Sequence, residues 1–436
     1  MQLIAWGLIS SGFFLLFALL GDLGRRATLF LPLYILSFAP YLLAIRYAAK
    51  RPATRPRELY IIGVFALLFR LMLLPGEPTL SDDVYRYLWE GKVQLHGVNP
   101  YLRPPNAEGL KDLRDPYYAR VNHPSIPTIY PPLAQGLFAG LAKIRYSLTT
   151  FKAVFLAFDL ATAFVVWRIL IASNGNPLFC LIYAWNPLVI VETASSGHLD
   201  AMGAFFLTLS LLLFLREKRV LSVIPLGLSI LTKFLPAILL PLYLQKLRGR
   251  EKWALLLLLP MLGLAYLPYM DAGKNLYHAL GQYSQSWEFN ASTFSLLGLW
   301  ITSRDVRKAI VIGVLIILTI WLWRRDLDLP DRMLFLLGAL FLVTPVLYPW
   351  YLIWILPFLA LRPSVPWIYL TAGSFLSYRI LPIYLETGLW QEQLGAKLLE
   401  YVPFYLLMGT GLLRRWIRGQ RSEVRSQKSE RHGTDL

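Results

Sequence analysis

Two adjacent carboxylates, Asp82 and Asp83, stand in the longest polar segment of an otherwise apolar chain. Ser81 precedes them, Val84-Tyr85-Arg86-Tyr87-Leu88-Trp89-Glu90-Gly91-Lys92 follows, and Gly97-Val98-Asn99-Pro100-Tyr101 comes soon after. Carboxylates held beside aromatics and a membrane suit general-base chemistry on a hydroxyl. A nearby cation would complete that chemistry by stabilising a phosphate leaving group. The cation that stands out is Lys233, in the middle of the apolar run Val220–Leu244. A lysine at the centre of a span costs about 2.5–3.5 kcal/mol on insertion scales, so it needs a reason to be there. Further polar islands are Gly197-His198-Leu199-Asp200, Trp287-Glu288-Phe289-Asn290 and Tyr348-Pro349-Trp350-Tyr351. Each has a plainer account: a solvated loop for Asp82-Asp83, charge balance for Arg86, an interfacial aromatic belt for Trp350 and Tyr351. His96, His123, His198 and His278 show no paired ligand spacing, which argues against a zinc site.

The elements that must carry these residues are membrane spans. Of 436 residues 56% are hydrophobic and only 16% charged, where a soluble domain is nearer half and a quarter. The apolar residues come in runs of roughly 15–24, close to what a spanning helix needs. Alternating segments of about ten residues, the mark of a membrane barrel, are absent. The predicted fold class is therefore all-α and polytopic. A net charge of +17 does not imply nucleic acid, because the positives sit in short links between apolar runs and in the tail after Leu413, as the positive-inside rule requires. The single cysteine, Cys180, permits no intrachain disulfide. Met1–Leu20 reads as a first span rather than a cleaved signal.

The link with Arg46, Lys50, Arg51, Arg55 and Arg57 against Glu58 alone marks the inner face. The span Leu59–Leu74 then delivers an outer loop, about residues 75–128, in which acids and bases nearly balance. Ser81 is a fair N-cap for a short surface helix over Asp83–Gln94. Tyr130-Pro131-Pro132 opens a span ending inside near Lys143 and Arg145, and Phe151–Ile171 returns outside. Counting then fails, because one crossing by Leu178–Glu192 would put Arg216–Arg219 outside. A hairpin broken at Asn186-Pro187, entering and leaving on one side, restores the rule and places His198 and Asp200 outside. The same reasoning makes Val220–Leu244 a re-entrant hairpin with Lys233 at its tip. The expectation is one domain over residues 1–416 with eleven to thirteen spans, and a disordered basic cytoplasmic tail over 417–436.

Taken together, these motifs resemble the multi-span C-type (GT-C) glycosyltransferases, bacterial mannosyltransferase-type members in particular. The likeness runs through Ser81–Gly91, Gly97–Tyr101, Tyr130-Pro131-Pro132, Trp185-Asn186-Pro187, Gly197–Asp200, Thr232-Lys233-Phe234, Trp287–Asn290 and Pro349-Trp350-Tyr351. The resemblance implies inverting, single-displacement transfer of a hexose, mannose by likeness, from a polyprenyl-phosphate carrier to a glycan, lipid or protein acceptor on the non-cytoplasmic face of a bacterial plasma membrane. It implies Asp83 as base or acceptor-orienting group with Asp82 as second carboxylate, and substrate contacts from Arg86, Tyr87, His198, Asp200, Lys233, Asn290, Trp350 and Tyr351, with Lys233, helped by Arg86, on the donor phosphate. The acids are adjacent rather than separated by one residue, which departs from a DxD-type metal site and leaves a divalent cation (Mg or Mn) open. A transporter or flippase of a lipid-linked sugar is the competing reading, and a membrane structural subunit a third.

Overall fold

A computed structural model describes residues 1–51 and 56–411, so the predicted tail over 417–436 lies outside the described residues. Among these residues there is no strand, only an isolated bridge between Phe289 and Val346. Helices α1 (Gln2–Leu20), α2 (Ala27–Ala49) and α3 (Pro56–Leu73) lead into the polar loop. Contacts between links sort the chain ends into two faces. Leu23, between α1 and α2, donates its N–H to the Thr79 hydroxyl at 2.9 Å, which puts that link on the loop face. Arg51 approaches Glu58 at 3.7 Å on the opposite face. Five helices are long and apolar enough to cross a membrane, or six with one bent pair counted, and shorter helices complete the bundle. This is a multi-pass membrane protein.

The loop carries helix α4 (Asp83–Leu95), close to the predicted bounds. Its cap position falls on Asp82, while the Ser81 hydroxyl accepts from the Asp83 N–H at 3.3 Å. Helix α5 (Pro132–Ile144) starts at the expected prolines but does not cross. Tyr146, just past its end, packs edge-on against Tyr117 of the loop, with rings 5.6 Å apart. Lys152, near the start of α6 (Leu148–Ala172), donates to the Gly76 carbonyl at 2.5 Å. Thirteen residues at 1.5 Å each span about 20 Å, too short for a core of about 30 Å, and α5 instead lies against α4. Lys143 and Arg145 therefore sit on the loop face, contrary to the expectation that they end a span inside.

That correction removes the parity problem. Helix α6 now crosses away from the loop, and Asn176 beyond it donates to the Ala48 and Arg51 carbonyls at 2.8 and 3.1 Å, on the opposite face. The segments α7 (Pro177–Ala184) and α8 (Pro187–Ser195) meet at 51°. They return to the loop face as one bent crossing, not as the predicted hairpin. His198 and Asp200 still share a face with Asp83, for a different reason from the one the sequence suggested. A cysteine at Lys143, in a chain whose buried Cys180 is replaced by serine, should be labelled by an impermeant reagent from the same side as one at Lys111 and from the side opposite to one at Lys218. Labelling together with Lys218 would restore α5 as a span.

The second expected hairpin is present. Helices α9 (Asp200–Leu215) and α10 (Arg219–Thr232) run down and up, and the chain descends again through Leu235–Lys246. Arg219 below α10 lies 3.8 Å from Glu251, just past the descending limb, so both limbs begin and end on one face. Ser210 of α9 stitches the two limbs, donating to the Ser222 carbonyl and contacting the Tyr243 hydroxyl, both at 2.6 Å. Lys233 stands at the turn.

Inside the bundle the break between α7 and α8 is held by charge. Arg70 of α3 donates to Asp159 of α6 at 2.5 and 3.1 Å and to the Ala184 carbonyl at 2.8 Å. Asp159 also accepts from Thr193 at 2.8 Å. Both charged side chains are wholly buried, where an ion pair holds only if its remaining hydrogen-bonding groups are satisfied. Packing of α4 on α5 depends on Gly91, because a Cβ there would collide with the Phe138 backbone. Gly91→Ala should lower stability by about 1–3 kcal/mol, the usual cost of overpacking. The readout is melting temperature in detergent, and an unchanged value would mean the two helices can part freely.

Candidate active site

Asp83 opens α4, so its side chain projects from the first turn toward the bundle. Its Oδ1 accepts from the Asn122 amide at 2.8 Å, and its Oδ2 lies 3.6 Å from His198 Nδ1. Asp82, about 100° away around the helix axis, points outward. It is 52% exposed and sits 3.6 Å from Arg120, which also reaches Glu77 at 3.3 Å. The adjacent carboxylates diverge, so they do not converge on one ligand.

Arg86 lies one turn further and faces the loop. It donates to Glu90 at 2.5 Å and to the carbonyls of Asn122, His123 and Ile126 at 3.2, 3.1 and 2.6 Å. Glu90 in turn accepts from Thr128 and Gln135 at 2.8 and 2.5 Å. Arg86 thereby fixes residues 122–126, the segment that presents Asn122 to Asp83. Tyr87 is buried, stacked on Phe138 at 4.7 Å and edge-on to Tyr130 at 5.1 Å. Burial pushes the Tyr87 and Tyr130 phenols well above their ordinary value, so both remain neutral. His123 packs on Trp287 at 4.7 Å. Burial pushes it below the ordinary histidine value, Asp83 opposing and Arg86 adding to the fall, so it is neutral at pH 7.

The facing wall is built on Lys233. Its ammonium lies 2.8 Å from Asp200 Oδ1 and 3.9 Å above the Tyr351 ring. The Trp354 indole donates to the same Asp200 oxygen at 2.6 Å. The Tyr351 and Tyr283 hydroxyls are 3.1 Å apart. His198 stacks on Trp350 at 3.9 Å, Trp350 on Tyr348 at 4.3 Å, and Tyr348 on Phe289 at 4.6 Å. Thus Asp83, His198, Asp200, Lys233, Trp350 and Tyr351 gather round one aromatic wall.

Asn290 stands behind that wall. Its amide donates to Glu400 at 3.0 Å and its carbonyl accepts from Tyr401 at 2.6 Å, with φ +48°. The Asn290-Ala291-Ser292 sequon is buried throughout. Among the described residues no group of three His, Cys, Asp or Glu side chains could hold a metal ion.

Residues the sequence reading passed over complete the site: Asn122, Glu192, Trp354, Tyr283 and Tyr378. Glu192 lies 3.3 Å from His198 Nε2 and accepts from the Tyr378 hydroxyl at 2.7 Å. It had the same signal as Lys233, a charge inside an apolar run. Asn122 and Tyr378 had none, being ordinary in type and far away in sequence.

A family model described as alpha-(1->6)-mannopyranosyltransferase, N-terminal domain (MptA_B family), matches residues 20–247, just over half the chain. The chain belongs to this family. The matched stretch carries Asp83, Glu192, His198, Asp200 and Lys233, whereas Tyr283, Trp350, Tyr351 and Tyr378 lie beyond it. Alpha-(1->6)-mannopyranosyltransferase A of Corynebacterium glutamicum is 24% identical over 207 residues, covering 45% of this chain and 41% of that protein. The chain therefore aligns with less than half the length of this relative. No solved structure matches it significantly.

Proposed function

We propose that this chain transfers a mannosyl residue from a polyprenyl-phosphate carrier to a hydroxyl acceptor at the loop face. The basic link near Arg51 supports a loop face on the non-cytoplasmic side, read here as that of a bacterial plasma membrane. The observation that carries the reading is the meeting of Asp83 with the Lys233–Asp200 pair around Tyr351 and Trp350. In this reading Asp83 takes the acceptor proton as its oxygen attacks the anomeric carbon. Lys233 faces the carrier phosphate and stabilises the charge that develops as the bond to the sugar breaks. Tyr351 offers an aromatic surface to the sugar ring, Trp350 backs it from its place in the stack with His198 and Tyr348, and the membrane-level position of Lys233 suits a donor whose lipid stays in the bilayer. The match to a mannosyltransferase family supports the sugar.

The test uses membranes expressing the full chain, radiolabelled polyprenyl-phosphate mannose and a broad acceptor extract. Label is expected in a new product that control membranes do not make. No movement of label, with glucose and arabinose carriers also tried, would overturn the proposal and favour a transporter of lipid-linked sugar.

A further inference from the structure

We propose that His198, oriented by Glu192, receives the proton that Asp83 removes from the acceptor, so that Asp83, His198 and Glu192 form one relay. The proposal rests on the mannosyl-transfer reading above and assigns His198 a role behind the base rather than on the sugar.

His198 is wholly buried between two carboxylates. Its Nδ1 lies 3.6 Å from Asp83 Oδ2 and its Nε2 3.3 Å from Glu192 Oε2. Neither ring nitrogen has a hydrogen-bond partner, nor has Glu192 Oε2. Buried polar atoms left open in this way call for an explanation. Each carboxylate has its other oxygen already held, Asp83 by Asn122 and Glu192 by Tyr378. The free oxygens both face the imidazole.

Local backbone enforces the arrangement. Val191–Ser195 is a π-helical turn, a departure from regular helix often found at functional sites. The His198 N–H bonds the Glu192 carbonyl at 3.1 Å. Gly197 has φ +75°, and a Cβ there would lie 2.9 Å from the Lys152 side chain, so only glycine makes this turn. Stacking on Trp350, with planes 16° apart, fixes the ring's orientation.

A neutral imidazole donates from one nitrogen only. With Nε2–H directed at Glu192, the Nδ1 lone pair is left facing Asp83. As the acceptor oxygen bonds to the anomeric carbon, the carbon–oxygen bond to the carrier breaks and its electron pair leaves with the phosphate. The acceptor's proton passes to Asp83 and on to Nδ1, giving an imidazolium flanked by two carboxylates. After product leaves, the proton returns through Asp83 to water.

The groups around the relay are Tyr378, bonded to Glu192; Tyr34, which lies within the field of Glu192; His123 beside Asp83; and Lys152 beside Gly197. Asp200 and Lys233 neutralise each other nearby. Among the described residues no lysine or arginine is ion-paired with Asp83 or Glu192.

The experiment compares kcat against pH, and donor KM, for the wild type, His198→Gln, Glu192→Gln and the double variant in membranes. Each single variant is expected to lower kcat about 10–100-fold, less than the 10²–10⁴-fold that loss of the base itself would cost, with donor KM within about threefold. The acid limb of the kcat profile is expected to move in both, which a merely structural role would not do. The double variant should be no worse than either single, because residues acting as a unit are non-additive. Full kcat with an unmoved acid limb, or losses that multiply in the double, would overturn the relay. Glu192→Gln keeps the shape and the bond from Tyr378, so it decides the question if His198→Gln does not accumulate. Failure of the underlying reading looks different: the wild type itself moves no label, or Asp83→Asn retains activity.

Discussion

Asp83→Asn should lower mannosyl transfer by about 10²–10⁴-fold, the range that general-base catalysis contributes. Asparagine preserves the volume of the side chain and its oxygen can still accept from Asn122, so helix α4 and the loop around residues 122–126 should stay in place. The loss belongs in kcat, with donor binding and membrane accumulation retained. Asp82→Asn is the matched control. Asp82 faces Arg120 and solvent, and removing an exposed charge of this kind costs about 0–1 kcal/mol, so its transfer rate should stay near wild type. Loss in Asp82→Asn with full activity in Asp83→Asn would move the base one residue back and refute the geometry described for α4.

Lys233→Met should cost about 10²–10³-fold in transfer, the scale of removing one preorganised group that stabilises developing charge. It should also destabilise the protein, since Asp200 is buried and would lose its counter-ion. Breaking a buried pair from one side typically costs about 3–5 kcal/mol. The two effects can be separated. Lys233→Met combined with Asp200→Asn removes the stranded charge and keeps an acceptor for the Trp354 indole. The double variant should regain melting temperature without regaining transfer. Recovery of both would reduce Lys233 to a structural ion pair, and the role facing the carrier phosphate would have to be given up.

What the sequence disclosed about this site follows from which anomalies are expensive. Lys233 could be read as a hairpin tip because a charge amid apolar residues and basic links at both ends leave few alternatives, and the contact of Arg219 with Glu251 closes that hairpin. Helix α4 was legible from its acids and breakers. Helix α5 was not. Its apolar stripe looks like a short span, yet it lies beside α4 through the close approach of Gly91 to the Phe138 backbone, the stacking of Tyr87 on Phe138 and the bond from Gln135 to Glu90. Taking α5 as a span shifted the parity of what followed and made the α7–α8 break look like a hairpin. Arg86 shows the opposite limit. Its type suggests an anion contact, yet the carbonyls of residues 122–126 claim it, and backbone acceptors leave no trace in a sequence.

The cross-tie from Arg70 to Asp159 and the Ala184 carbonyl bears on how the chain is made. A span with a proline break exposes backbone groups that lipid cannot satisfy, so α7 and α8 entering a bilayer alone would carry that deficit. Their partners come earlier in the chain: the arginine on α3 and the aspartate on α6. As synthesis proceeds from the amino terminus, both are in the membrane before the break leaves the ribosome. The order of the spans along the gene thus matches the order in which each must find support, and a circular permutant that delivered residues 177–195 first would insert without its brace.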